Sequence, residues 1–144
     1  MTRLGYDSFG RLRKSIDAAN NATVYTYTKN LLTSITDANG NVTGYEYDAR
    51  KRLTATVFAD GARESYTYRN DGLLETRTDR RGIVTSFEYD ALKRMTRKTY
   101  SSGGSIVYVY EGSVLKQGDD TVASPPETHV FGYDTMLRMT SATQ

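Results

Sequence analysis

The sequence contains no cysteine and no tryptophan, and His129 is its single histidine among 144 residues. Without cysteine, a disulfide framework and a thiolate metal site are both excluded. One histidine also excludes metal clusters built from several imidazoles, and it makes a histidine-dependent catalytic triad a poor candidate. We therefore predict no metal, no cofactor and no enzymatic activity for this chain.

The sequence also lacks a strong excess of either charge and has no long apolar run. The 19 basic and 17 acidic residues leave a net charge of +2, which gives no electrostatic case for a nucleic-acid partner. No apolar run approaches the ~18 residues that a membrane-spanning helix requires. Residues 1–10 lack the apolar centre of a signal peptide. We expect neither nucleic acid nor a membrane span, and the sequence leaves the compartment open.

The sequence is rich in tyrosine instead, with 12 Tyr and 4 Phe, and these residues recur in pairs two positions apart. Taking the second aromatic of each pair as the start of a unit gives starts at Tyr6, Tyr27, Tyr47, Tyr68, Tyr89, Tyr110 and Tyr133. A Leu or Met follows each start by five or six positions: Leu12, Leu32, Leu53, Leu74, Met95, Leu115 and Met139. The chain is therefore predicted to be one segment, residues 1–144, of about seven units of about 21 residues.

The local chemistry predicts that each unit is a β-hairpin. The period alone would also suit leucine-rich repeats, but the segments between turns are short and rich in Tyr, Thr, Val and Phe, which favour strands. D-x-x-G turns at residues 7–10, 37–40 and 79–82 connect them. There we expect the Asp side chain to accept amides two and three residues on, with the Gly left-handed. Such short connections predict an all-β antiparallel meander.

Alternation along the strands predicts how the side chains divide between the faces of the sheet. The two aromatics of each pair should share a face, and the Leu/Met positions should join them there. On that basis Leu53, Ala55 and Val57 are predicted on the aromatic face, and Lys98 on the opposite face with other charged residues. This would give one apolar and one polar face over about 13 strands, too large to leave uncovered. We expect curling, a partner chain or the rest of a longer protein to cover it.

The motif Y-D-x-x-G-R-L is complete at residues 6–12, nearly complete at 47–53 and 89–95, and degraded at 133–139. The chain resembles the RHS/YD repeat family over essentially its whole length. The resemblance implies a β-strip that spirals into a hollow shell, as in bacterial polymorphic toxins and insecticidal toxin complexes, where the shell encloses a toxin. A similar shell supports adhesion in the animal teneurins. The family's D-P-x-G self-cleavage motif is missing, because neither Pro125 nor Pro126 follows Asp.

The resemblance also implies a bacterial parent protein, secreted or at the cell surface, of which this chain would be an excised stretch of shell. We expect a non-catalytic structural segment that covers cargo or packs against other shell. Its expected partners are further copies of itself, the rest of the RHS shell, or an encapsulated toxin domain. The alternative is a carbohydrate-binding or adhesion module in which the repeated tyrosines engage a glycan.

The candidate binding residues under that alternative form an aromatic ladder on which sugar rings could stack, although core packing explains the same pattern more simply. The ladder consists of Tyr25, Tyr27, Tyr45, Tyr47, Tyr66, Tyr68, Phe87, Tyr89, Tyr108 and Tyr110. Recurring carboxylates such as Asp37 and Asp90 are interpreted as turn caps, since a pair of glycosidase carboxylates would not recur in every unit. The adjacent Asp119 and Asp120 supply too few ligands for calcium.

Overall fold

The computed structural model describes residues 1–122, 126–134, 136 and 138–143, and all regular secondary structure within them is β-strand. The strands are β1 (Arg3–Tyr6), β2 (Leu12–Ile16), β3 (Ala22–Thr28), β4 (Leu31–Thr36), β5 (Val42–Tyr47), β6 (Leu53–Val57), β7 (Arg63–Tyr68), β8 (Leu74–Thr78), β9 (Val84–Tyr89), β10 (Met95–Tyr100), β11 (Ser105–Glu111), β12 (Val114–Asp120), β13 (Glu127–Tyr133) and β14 (Met139–Thr143).

The order of the strands in the sheet follows the order of the chain, from β1 to β14, and successive strands are antiparallel. The predicted all-β hairpin meander is therefore confirmed. The chain divides into two compact units, Met1–Tyr66 and Thr67–Gln144. Within each compact unit every strand pairs with its neighbours in sequence, because connections of a few residues can only return the chain antiparallel to the strand just completed.

The turns use their aspartates differently from the prediction. The Oδ1 atom of Asp7 accepts the amides of Phe9 at 2.9 Å and Arg11 at 3.0 Å, which lie two and four residues on. The intervening Gly10 amide donates to the Asp7 carbonyl at 3.0 Å. Gly10 is left-handed, with φ of 76°, and Lys51 takes the equivalent position with φ of 64°. The predicted contact three residues on is wrong because that amide already closes the backbone turn.

A β-bulge interrupts the register once in each of six hairpins that begin with an aromatic strand. In β5–β6, Tyr47 lies opposite Leu53 but Glu46 lies opposite Ala55, so Thr54 has no partner of its own in the register. The same shift occurs in β1–β2, β3–β4, β9–β10, β11–β12 and β13–β14. An extra residue on one strand reverses the alternation of every side chain beyond it.

The bulge makes the predicted division of the faces wrong for three residues. Leu53 does share the face of Tyr47, but Ala55 and Val57 lie beyond the bulge and point to the opposite face. Lys98 lies directly opposite Phe87 and therefore sits on the aromatic face. The face opposite the aromatics in turn carries exposed valines, including Val42, which is 46% exposed. Both faces are therefore chemically mixed.

The hydrophobic core is thin. Among the described residues, only Ala55, with no exposed surface, Thr56, with 8%, and Gly118 count as buried. Ala55 lies between Glu46 and Ser65 on the neighbouring strands. Arg63 spans β6 there, since it donates from both terminal nitrogens to the two carboxylate oxygens of Glu46, at 2.7 Å each. Stability must therefore come from contacts that repeat along the sheet rather than from one central cluster.

Candidate functional site: the aromatic ladder

The structure places the members of the aromatic ladder as the alternation of strands predicts. Within β3, Tyr25 and Tyr27 are half-buried while the intervening Thr26 is exposed, and β5 shows the same contrast for its two tyrosines and Glu46. All ten ladder side chains are half-buried. Their rings are therefore partly covered by neighbouring side chains.

In three pairs the second tyrosine makes a hydrogen bond that sequence reasoning missed. The hydroxyl of Tyr27 donates to the carbonyl of Leu12 at 2.9 Å, that of Tyr47 to Leu32 at 2.8 Å, and that of Tyr110 to Met95 at 2.9 Å. Each bond joins one unit to the Leu/Met position of the unit before it. We call this contact the tyrosine clamp.

The tyrosine clamp occupies a gap in the backbone ladder. The β2–β3 register runs from Ile16 opposite Ala22 to Lys14 opposite Val24, so it stops two residues before Leu12. On the Leu12 side of that point the bulge diverts the chain of β2. Without the tyrosine hydroxyl, the Leu12 carbonyl would face the gap between β2 and β3. A buried or half-buried carbonyl costs free energy unless it is hydrogen-bonded. At Tyr27, Tyr47 and Tyr110 the hydroxyl makes a contact that phenylalanine could not make.

An Asp–Arg–Tyr stack accompanies the clamp. Asp7 Oδ2 accepts from Arg11 Nε at 2.7 Å and pairs with its Nη2 at 2.7 Å. The held guanidinium lies 4.6 Å from the centre of the Tyr27 ring, within the range of a cation–π interaction. The hydrogen bond from Arg11 holds the pKa of the Asp7 carboxyl below its ordinary value. The stack therefore links a turn, an arginine and the ring of the following unit.

The Asp–Arg pair recurs in alternate units rather than in all of them. It is present at Asp7, Asp48, Asp90 and Asp134, which follow one another at intervals of 41, 42 and 44 residues. The unit after the first pair has a shorter turn, and Arg11 Nη1 donates to Asn30 Oδ1 in it at 3.1 Å. Arg94 likewise donates to the carbonyl of Gly112 and stacks 4.3 Å from the Tyr110 ring. The structural period is therefore two units.

The first aromatic of a pair is more varied in its contacts. Tyr66 donates its hydroxyl to Glu64 at 2.9 Å, and the Lys98 ammonium lies 5.6 Å from the Tyr108 ring. Burial raises the pKa of the Tyr47 and Tyr89 hydroxyls in the second column. The ladder thus combines rings held by neighbours with a few charged side chains among them.

The recurring carboxylates are engaged in the turns, as predicted. Asp37 Oδ1 accepts the amides of Asn39 and Asn41, both at 2.9 Å, and the side chain of Asn41 lowers the Asp37 pKa further. Asp119 accepts from Gln117 at 2.8 Å and from Thr128 at 2.8 Å. Across the described ranges, no three acidic or histidine side chains gather in a way that could hold a metal ion.

The same described residues contain no helix that could cross a membrane.

Comparison with solved structures shows what this arrangement is similar to. The crystal structure of TcdB2-TccC3 matches with a TM-score of 0.79 at 16% identity, and that of TcdB2-TccC3-Cdc42 with 0.77 at 15%. The Photorhabdus luminescens Tc holotoxin pore, in a TccC3 mutant, matches with 0.76 at 18%. Each match covers 98% of this chain but only 9% of the other. At such identities the likeness is one of fold.

Sequence comparison gives the family. No curated protein sequence matches significantly. The profile of the RHS repeat matches residues 28–63 and 68–105, which together are more than half of the 144 residues. The chain therefore belongs to the RHS repeat family.

Proposed function

We propose that the chain is a non-catalytic structural segment of the wall of an RHS-type shell, and that its parent protein encloses a polypeptide cargo such as a toxin domain. The observation that carries this proposal is the use of the repeated side chains. The Asp, Arg and Tyr side chains that define the motif connect one hairpin to the next, as Asp7, Arg11 and Tyr27 do. A motif that serves cohesion in repeated units is what a wall requires.

The fold likeness to chains of TcdB2-TccC3 supports the same proposal. This chain spans 9% of the length of those chains, so it corresponds to a small part of one wall. The mixed chemistry of the two faces means that enclosure would depend on continuity of the sheet rather than on a single apolar surface. The parts of the parent that supply or release the cargo would lie in other segments.

The test is a transplant into a shell that already works. The stretch of a TcdB2-TccC3 shell that aligns with this chain is replaced by the 144 residues, and the chimera is assayed for protease protection of the region enclosed in it. A shell with the aligned stretch deleted is the matched control. We expect the chimera to protect its cargo and the deletion to expose it. If the chain folds on its own but every chimera leaves the cargo accessible, the proposal fails.

Nitration of the ladder tyrosines in the isolated chain distinguishes the adhesion alternative from the wall proposal. Under the wall proposal, Tyr27, Tyr47 and Tyr110 react slowly because their hydroxyls are bonded, and no glycan changes the pattern. A glycan that binds the chain and protects Tyr25 or Tyr45 from the reagent would favour the adhesion module instead.

A further inference from the structure

A pocket of about 260 Å³ lies between β2 and β3, next to the turn at residues 7–11. Its walls come from that turn, from Arg13 of β2 and from residues 24–27 of β3. Both strands are internal to the sheet, since β2 also pairs with β1 and β3 also pairs with β4. Neither strand that forms the pocket is therefore an edge strand.

Two aromatic rings and a guanidinium form one wall of the pocket. The Arg11 guanidinium lies over the Phe9 ring, 5.2 Å from its centre, and over the Tyr27 ring at 4.6 Å. Phe9 is 78% exposed, and Leu92, which follows its own turn aspartate by the same two residues, is 72% exposed. Since repeat units lie on both sides of Leu92, exposure at this place is a property of the turn. The wall therefore presents an apolar side chain to solvent.

Arg13 departs from the pattern of the other units. It is the residue that the β1–β2 bulge leaves out of the register. The β11–β12 bulge leaves out Lys116, which pairs with Glu111 at 3.1 Å. At four other bulges the corresponding residue is a threonine: Thr33, Thr54, Thr96 and Thr140. Arg13 is exposed, and within the described residues it makes no hydrogen bond or ion pair.

The charges that line the pocket favour an anion. They belong to Asp7, Arg11 and Arg13. Asp7 Oδ2 is already bonded to Arg11 Nε and Nη2, at 2.7 Å each, and Asp7 Oδ1 accepts two backbone amides. The charge of Arg13 is therefore the one that nothing in the pocket compensates. The planar fork of a guanidinium matches the two oxygens of a carboxylate.

The size of the pocket favours a side chain of a larger partner over a free small molecule. Its volume lies below the roughly 300–1,000 Å³ of pockets that enclose drug-sized ligands. The described strands all belong to one sheet, so no second layer covers it. An acidic sugar would also need partners for its hydroxyls, but Asp7 and Arg11 are already bonded to each other. A polypeptide supplies its own cover and needs only the carboxylate and apolar contacts.

We propose that the pocket binds an acidic side chain of a polypeptide, with the carboxylate on Arg13 and a neighbouring apolar side chain of the partner against Phe9. The other described bulges lack an unpaired arginine, so the site occurs once in the described part of the chain rather than once in every unit. It uses side chains that the repeat does not share, and it is independent of the wall proposal.

Nuclear magnetic resonance on the isolated chain tests the site with a blocked peptide of sequence Gly-Ser-Phe-Asp-Gly-Ser. We expect saturable shifts of the amides at residues 9–13 and 24–27, with a dissociation constant of ~1 mM or weaker. Arg13→Thr should weaken binding about fivefold, and it should keep the fold because other bulges carry threonine. Lys14→Thr is the matched control, since it removes the same charge from an exposed residue outside the pocket. It should leave binding unchanged.

A second peptide, with Asn in place of Asp, completes a double-mutant cycle. It should bind the wild-type chain about fivefold more weakly than the Asp peptide. Arg13→Thr should not weaken it further, because the carboxylate that Arg13 contacts is already missing. If the two losses simply add, Arg13 and the carboxylate are not in contact and the proposed pairing is wrong.

Four other results would overturn the proposal. The absence of saturable shifts with the Asp peptide would show that the pocket does not bind an acidic polypeptide. Equal weakening by Lys14→Thr and Arg13→Thr would show that overall charge attracts the peptide. Tighter binding of a galacturonate oligomer at the same amides would assign the pocket to an acidic glycan. Binding of acetate as tight as that of the peptide would reduce the pocket to a site for any small anion.

Discussion

Replacing Tyr47 with phenylalanine removes one oxygen atom and leaves the ring in place. That oxygen donates a hydrogen bond of 2.8 Å to the carbonyl of Leu32. A neutral hydrogen bond contributes on the order of 1 kcal/mol to stability, and a carbonyl left without a partner costs up to about 3 kcal/mol when it is fully buried. Since Tyr47 and Leu32 are both half-buried, water can reach the vacated carbonyl in part. We therefore expect the loss to be about 1 kcal/mol.

The matched control is Tyr45→Phe on the same strand. The Tyr45 ring is also half-buried, but within the described residues its hydroxyl makes no hydrogen bond. The control should therefore change stability by less than about 0.5 kcal/mol. For a domain of this size a loss of 1 kcal/mol lowers the melting temperature by roughly 2–4 °C.

Urea unfolding at pH 7, followed by far-ultraviolet circular dichroism, measures both variants. Because the chain forms two compact units, the denaturant dependence of each variant must equal that of the wild type before the midpoints are compared. Tyr27→Phe should reproduce the loss of Tyr47→Phe, since it breaks the equivalent bond to Leu12. If Tyr47→Phe and Tyr45→Phe prove equally mild, the tyrosine clamp contributes nothing and the reasoning is refuted.

Three further perturbations test the turns and the centre of the sheet. The carboxyls of Asp7 and its equivalents have a lowered pKa in the folded chain. Their contribution to the free energy of unfolding is therefore complete above about pH 4 and is lost as the pH falls through the folded pKa. Urea midpoints that stay constant as the pH is lowered from about 5 to about 2.5 would contradict this. Ala55→Leu should cost about 1–3 kcal/mol in the same assay, because Ala55 has no exposed surface, and a wild-type midpoint would refute that packing. Gly40 and Lys51 both have a positive φ, 82° and 64°. Gly40→Ala should therefore destabilise the fold by about 1 kcal/mol, and Lys51→Gly should stabilise it by a few tenths of a kcal/mol. Effects of the same sign would exclude backbone strain as the cause.

Much of the fold could be predicted because short sequence patterns that repeat along the chain specify it. The aromatic pairs at 45 and 47, the Leu at 53 and the Asp–Gly turn at 37–40 each specify one part of a hairpin, and the short connections exclude parallel pairing. Repetition lets weak propensities be read several times in one chain. The strands and their order therefore follow from the sequence.

The division of the faces could not be predicted because it depends on one unpaired residue per hairpin. Thr54 is an ordinary strand residue by propensity, yet it is the one that the β5–β6 register skips. A signal was present in the turn: the pairing that begins with Asp48 to Arg52 encloses an odd number of residues. Only the backbone geometry shows that this offset is absorbed beyond Leu53, which then reverses Ala55 and Val57.

The alternation of turns that hold an Asp–Arg pair with turns that lack it explains why a 21-residue sequence period supports a two-unit structural period. A complete turn such as 7–11 positions an arginine that reaches across to the following turn at Asn30 and lies over Tyr27. A second complete turn in the following unit would place its own aspartate and arginine where that guanidinium already binds. At residues 27–32 and 110–115 the shortened turn therefore accepts the arginine of the unit before it. Loss of the motif at residues 27–32 and 110–115 is thus a specialisation of these two units.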